Sequence, residues 1–376
     1  MRGKLFVTIT VLLLAGAIFA IYSGSDEQTG KAAEKAQGKV RVLAHGNAAA
    51  LLAQGCTDRG LELRTARALE CPQGTDFTGA DVSEDVEAFA MDLGADNQIK
   101  ASLVWPNYTG NGSVVAVLDT GMNYNHVELS SSYAGGRDFV NNDADPLDDN
   151  GHGTHVAGII TADGVSANAK GVAPGAQILS GKVLNSAGSG SFSNIIAAMY
   201  WAADNPSVDV ISMSLGTSRT FKNSNCDSYI PDMTTAVNYA VAHGKVVVAA
   251  AGNSKSGVSN PGCISGVITV GAVGSNDVIA SWSGRGFSAK DHGVVAPGVS
   301  LYSTWLGSSY ATASGTSMAT PVVAGTIALM KQKNPSLTVA QVKSILYTTS
   351  KDLGASGYDN TYGHGRIDAS AAVGAS

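Results

Sequence analysis

Five short runs that are apolar almost throughout recur along the chain from residue 113, and helical patterns separate them. The runs are SVVAVLD at 113–119, QILSGKVL at 177–184, VDVISMSL at 208–215, KVVVAAAG at 245–252 and VITVGAV at 267–273. Between and after them lie HVAGIITA, NIIAAMYWAAD, MTTAVNYAVAHG, SMATPVVAGTIALMKQKN and TVAQVKSILYTTS. A strand with one wet face alternates apolar and polar residues, so a strand apolar at every position is covered on both faces. Such strands, joined by helical crossovers, predict an α/β fold: a parallel twisted sheet with helices on both faces. With 376 residues, 44% of them hydrophobic, the chain can bury a core of that kind.

In open parallel sheets ligands bind beyond the carboxyl ends of the strands, and four chemically capable residues converge on that rim. Asp119 closes the first run and Asn253 follows the alanine-glycine end of the fourth, while His152 in NGHGTHVAG and Ser317 in SGTSMATP each open a helix. Acyl transfer by a serine hydroxyl needs a base to take its proton and a buried carboxylate to orient that base. Ser317 follows Gly315-Thr316 at a helix start, so its amide is among the donors such a start leaves free, and it can face an oxyanion. His155, three residues after His152, suggests a metal pair, but the spacing is short by one, no HExxH occurs, and a packing role is expected.

The three segments, in the order Asp, His, Ser and joined by AAAGN at 249–253, resemble the subtilisin-like serine proteases (subtilases) from about residue 98 to the C-terminus. The resemblance implies an endopeptidase with Asp119, His152 and Ser317 as its triad and the Asn253 amide as side-chain donor to the oxyanion. One departure is Val322, where subtilases usually carry a histidine after the nucleophile; it bears on helix packing rather than on the triad. Gly188-Ser189-Gly190 and Ser214-Leu215-Gly216 match the family's paired substrate-binding segments, with Phe192 beside the pocket for the fourth residue before the cut. Backbone pairing of that kind implies broad specificity. The first pocket is expected between Leu215 and Ala250-Ala251 with Ser259 near its base, favouring apolar or aromatic side chains.

Asp138, Asn141, Asp143 and Asp145 are spaced like oxygen ligands, and some relatives hold a structural calcium ion in this loop. A second calcium loop of the family is poorly matched at 163–168, with Glu128 where Asp is commoner.

The N-terminus carries Arg2 and Lys4 ahead of an apolar run at 5–22, the pattern of an export signal, or of an anchor if uncleaved. Residues 23–38 are small and polar, a linker. Strand, helix, strand and strand patterns over 39–92 form a small α+β unit placed like a subtilase propeptide, which implies an intramolecular chaperone and inhibitor. Residues 93–97 read as a flexible processing linker ahead of a catalytic domain at 98–376, with the mature start between Asp92 and Lys100. The four cysteines allow three pairings. A pro-region that must leave cannot be tethered, so Cys56 is expected with Cys71 and Cys226 with Cys263. A net charge of −6, from 24 Lys and Arg against 30 Asp and Glu, leaves no basic surface for nucleic acid. Expected partners are protein or peptide substrates and the chain's own pro-region, on a monomer that meets membrane only if the anchor is kept. The competing readings are a non-catalytic binding or inhibitory relative and an esterase or ligase on the same triad.

Overall fold

The computed structural model describes residues 39–45, 47–58, 67–72, 74–80, 82–84, 92–165 and 169–376. The expected export signal and linker at 1–38, and part of the loop at 163–168, lie outside them. The chain divides into two compact units, Met1–Ala88 and Phe89–Ser376.

The first unit is a four-stranded antiparallel sheet in the order Thr57–Asp58, Arg67–Pro72, Lys39–Ala44, Val82–Glu84, with one helix, Ala49–Ala53. Its core is small: Ala44, Ala48, Leu51 and Leu69 around the disulfide Cys56–Cys71. A unit this size buries too little apolar surface to be stable with a wide margin. Closing a 15-residue separation with a disulfide contributes about 3 kcal/mol, largely by restricting the unfolded chain. The strand expected over 85–92 falls at 85–91 outside the described residues, and the structure has instead a short strand at Val82–Glu84.

The second unit holds a seven-stranded sheet in the order Gly293–Pro297, Ile268–Val273, Val246–Ala250, Val208–Met213, Val114–Asp119, Gln177–Lys182, Tyr133–Asp138. Every neighbouring pair is parallel. Alternate side chains of one strand feed opposite layers. Val115 and Val117 pack toward the helices His152–Thr161 and Thr316–Lys333. Val114, Ala116 and Leu118 pack toward Phe192–Asp204 and Pro231–Ala242. That double burial is why the runs are apolar at every position. The Thr316–Lys333 helix is buried on all sides from Met318 to Lys331, and Val322 is fully enclosed in it.

Two strands lack the expected pattern, and both are sheet edges. Tyr133–Asp138 reads YAGGRD and is partly exposed, with a register shift at Gly136. Gly293–Pro297 is short and ends in proline. An exposed edge such as Tyr133–Asp138 has less apolar contact to satisfy, so its sequence carries a weaker signal. Gly293–Pro297 is instead buried at every position and also bonds Gly365 and Ile367, and its brevity is what hides it.

The segment expected as a flexible linker is a helix, Asp92–Gln98. It buries Ala95, and the following Ile99 is fully enclosed. Gln98 Nε2 donates to Gly274 O at 2.9 Å and to Asp277 Oδ1 at 2.8 Å. Asp96 is also buried, and desolvation pushes its carboxyl up to about 8 against the pull of Lys170. Small polar residues suggested looseness; docking of the apolar side of the turn overrides it.

Sequential strands run from Val114–Asp119 to one side of the sheet, then return to its other side at Val208–Met213. The carboxyl end of Val114–Asp119 is therefore the point where strand order reverses, the place where such sheets open a crevice.

Candidate active site

Asp119 is wholly buried at that reversal point. Its Oδ1 accepts from Thr120 N at 2.7 Å and pairs with His152 Nδ1 at 2.7 Å. Thr120, unremarked in the sequence, also accepts from Gly153 N through Oγ1 at 2.8 Å, so one turn holds both the carboxylate and the histidine helix. Asp148 clamps that helix start by accepting from Gly151 N, Thr154 N and Thr154 Oγ1. Gly151 has φ 107°, and a Cβ there would run into Trp305, so only glycine passes the chain into His152.

Burial alone would lower the His152 pKa, but the Asp119 charge and hydrogen bond, aided by Asp148, raise it above the ordinary histidine value. His155 behaves oppositely. Its Nε2 lies 3.0 Å from Ala311 O, its ring packs edge-on to Trp305, and burial pushes its pKa down to about 4. A neutral, enclosed imidazole of that kind fits packing.

Ser317 occupies the first turn of the Thr316–Lys333 helix, where backbone N–H groups lack helical acceptors. Its Oγ donates to Ser214 O at 3.1 Å, in the wall of the cleft that His152 also lines. The Asn253 side chain is fixed through its oxygen: Oδ1 accepts from Thr316 N at 2.9 Å and from Thr316 Oγ1 at 3.0 Å. Thr316 Oγ1 accepts in turn from Gly252 N at 3.1 Å. That network assigns the amide orientation and leaves Nδ2 as the free donor beside Gly315.

A cleft of about 300 Å³ opens beside His152 and Ser214, the residue to which Ser317 is bonded. Its lining includes His152, Gly188, Ser189, Gly190 and Phe192 on one wall and Ser214, Leu215 and Gly216 on the other. Gly188 turns the chain at φ 71°, and a Cβ on Gly190 would strike Val183 O. Ser259 is buried behind the second wall, where a Cβ on Gly252 would run into its Oγ. Lys182, also missed from sequence, is buried under the cleft and donates to Thr120 O at 2.7 Å, Asp149 Oδ1 at 2.5 Å and Leu184 O at 3.2 Å.

The structure shows no assembled cation site at the expected calcium loop. Asp138 spends its carboxylate on Val140 N, Asn141 N and Asn141 Nδ2, so Asn141 is a donor here. Asp143 accepts from Asp145 N; Asp145 accepts from Leu147 N and from Tyr124 OH, whose phenol that bond pushes up to about 12. These oxygens close a turn around N–H groups and do not converge on a cation. Among the described residues no group of three or more His, Cys, Asp or Glu can hold a metal ion. At the second loop, Glu128 accepts from Gly164 N and Val165 N and from Tyr310 OH.

Cys226 and Cys263 are joined, with Cα atoms 5.4 Å apart, bracing the segment behind Ser259. Closing 37 residues of separation contributes about 2–4 kcal/mol.

A parallel α/β sheet with a carboxylate, an imidazole and a serine at its reversal point defines the class of site found in serine hydrolases. The chain matches the subtilase family over residues 110–365. It is 43% identical over 266 residues to subtilisin Savinase from Lederbergia lenta, covering 70% of this chain and 92% of that one. It is 43% identical over 271 residues to subtilisin DY from Bacillus licheniformis, covering 71% and 92%. The crystal structure of a cold adapted subtilisin-like serine proteinase aligns with a TM-score of 0.60 at 37% identity, covering 68% of this chain and 89% of that one. The chain belongs to the subtilase family and is a subtilisin-like serine endopeptidase.

Proposed function

We propose that this chain is an exported endopeptidase made as a zymogen, in which Ser317 attacks the peptide carbonyl and forms an acyl-enzyme. The observation that carries the reading is the 2.7 Å bond from the buried Asp119 carboxylate to His152 Nδ1, with Ser317 at a helix start and bonded to Ser214 of the cleft wall. His152 Nε2 takes the hydroxyl proton and returns it to the leaving amine, while Asp119 holds the tautomer and stabilises the imidazolium. Ser317 N–H and Asn253 Nδ2 receive the developing oxyanion. Hydrolysis of casein together with covalent labelling of Ser317 by a fluorophosphonate tests the reading. An active protein labelled elsewhere refutes it, as does an inert one.

Asn253→Ala is expected to lower kcat by about 10²–10³ with KM little changed, a scale that comes from subtilisin, a relative. The donor acts once charge develops, so steady-state kinetics showing a change in KM alone removes Asn253 from the oxyanion site.

Substrate pairs its backbone with 188–190 and 214–216, and backbone recognition supports broad specificity. No acid lines the cleft wall at Leu215 and Gly216, which favours apolar residues at the first position before the cut. The small disulfide-braced unit acts as chaperone and inhibitor, and the enzyme frees itself by cutting near residue 92. Protease clefts take extended backbone, and residues from Asp92 onward are helical, so the mature start lies at the N-terminal end of the Asp92–Lys100 range. The mature enzyme works outside the cell as a monomer. Among the described residues no helix is long and apolar enough to cross a membrane.

Calcium at the Asp138–Asp145 turn is not part of the proposal, because the donors do not fit. Asp143→Asn should therefore leave any calcium response of the thermal inactivation rate as in the parent. Loss of that response in the variant would restore the site.

A further inference from the structure

Pro321 lies four residues after Ser317 inside the Thr316–Lys333 helix. Proline has no N–H, so the helical bond that would reach the Ser317 carbonyl from position 321 cannot form. Ser214 Oγ donates to that carbonyl instead, at 2.7 Å. In the opposite sense Ser317 Oγ donates to Ser214 O at 3.1 Å. Two hydrogen bonds thus cross between the same two residues, one on the nucleophile's helix and the other at the end of the strand Val208–Met213 that leads into the cleft wall. Ser214 is 4% exposed, so water does not compete freely for its hydroxyl.

The two bonds have different fates in the reaction. For Ser317 Oγ to pass its proton to His152, its bond to Ser214 O must open. The bond from Ser214 Oγ to Ser317 O has no reason to open. We propose that the Ser214 side chain is a positioning residue: its hydroxyl takes the place of the N–H that Pro321 withholds. It ties the Ser317 peptide to the substrate-binding strand rather than to the next turn of its own helix. The hydroxyl of Ser317 then swings to His152 while the Ser317 N–H and the paired substrate keep their spacing. This role rests on the reading of Ser317 as the nucleophile.

A double-mutant cycle of Ser214 and Pro321 tests it, because the Pro321→Ala substitution restores the N–H that proline lacks. The measurements are kcat and KM on a peptide anilide, with the processed enzyme and its thermal midpoint followed in parallel. Ser214→Ala alone is expected to lower kcat by about tenfold with KM within about twofold, since a misplacement of 1 Å costs about 10²-fold and a partial loss of alignment costs less. Pro321→Ala combined with Ser214→Ala should recover most of that loss, because the backbone N–H regained at position 321 now satisfies the Ser317 carbonyl. A purely structural Ser214 would shift the thermal midpoint and leave kcat of the folded enzyme unchanged, which overturns the proposal. Equal loss from Ser214→Ala in the parent and in the Pro321→Ala background overturns it too. If Ser214→Ala yields no folded enzyme, the double variant must yield one, and its failure also counts against the proposal. Fluorophosphonate labelling of the parent reports on Ser317 independently. Absence of label at Ser317 rejects the nucleophile, whereas a labelled Ser317 with no rescue rejects only the role of Ser214.

Discussion

Ser317→Ala is expected to lower kcat by about 10⁶ and to leave the precursor uncut, a scale carried over from the same substitution in subtilisin. The size follows from what the hydroxyl does. It supplies the nucleophile, and without it His152 and Asp119 have no proton to move, so three residues fail together. The Asn253 amide and the helix amides remain, as does the cleft of about 300 Å³, so substrate should still bind. Residual rates about 10³–10⁴ above uncatalysed hydrolysis are what such a remnant supplies. The check is single-batch kinetics with the variant and the parent, alongside mass analysis of the precursor. Parental hydrolysis by the pure variant would mean that the nucleophile lies elsewhere.

Much of this site was legible because its residues are forced by the backbone as well as by chemistry. Asp119 ends a run buried on both faces, and His152 and Ser317 stand where helices begin. Gly151 beside His152 and Gly190 in the cleft wall mark places where a side chain collides with Trp305 or Val183. What was not legible are the partners that hold those residues. Thr120, Thr316 and Lys182 act through contacts between segments far apart in the chain, while Asp148 clamps a turn three to six residues on, and no sequence pattern marks any of them. Thr316 shows the difficulty: its hydroxyl orients Asn253 from 63 positions away.

Two expectations read from local composition meet contacts that composition does not record. Acidic spacing at 138–145 counts oxygens but not the N–H groups that occupy them, and here the turn's own amides do so. The 93–97 segment was judged by composition, yet Ile99 and Ala95 find an apolar surface that composition does not record. The edge strand Tyr133–Asp138 was lost similarly, since pairing on one side demands less of a sequence, while Gly293–Pro297, buried throughout, was hidden by its brevity. The seven-strand order itself follows from right-handed crossovers between buried runs, once the edges are known.

Asp119→Asn is expected to lower kcat by about 10⁴, the scale this change has in an unrelated serine protease, and to move the acid limb of kcat/KM. Asp119 Oδ1 is bonded to both Thr120 N and His152 Nδ1, and its carboxylate is wholly buried. An amide in its place has two settings. With its oxygen toward His152 it keeps the tautomer but loses the charge that stabilises the imidazolium. With its NH₂ toward His152 it turns the imidazole over, and Nε2 then carries a proton where it must accept one. Either setting disables proton transfer from Ser317. The pH argument has a definite sign. His152 must be neutral to accept that proton, so activity in the parent falls as pH drops through a pKa that lies above the ordinary histidine value. Burial opposes protonation, and Asp119 supplies most of what outweighs it. Removing the Asp119 charge leaves burial dominant, so the residual activity of Asp119→Asn should persist to lower pH than in the parent. A variant within about tenfold of the parent in kcat, or an acid limb that stays in place or moves to higher pH, would show that Asp119 neither orients nor charges His152.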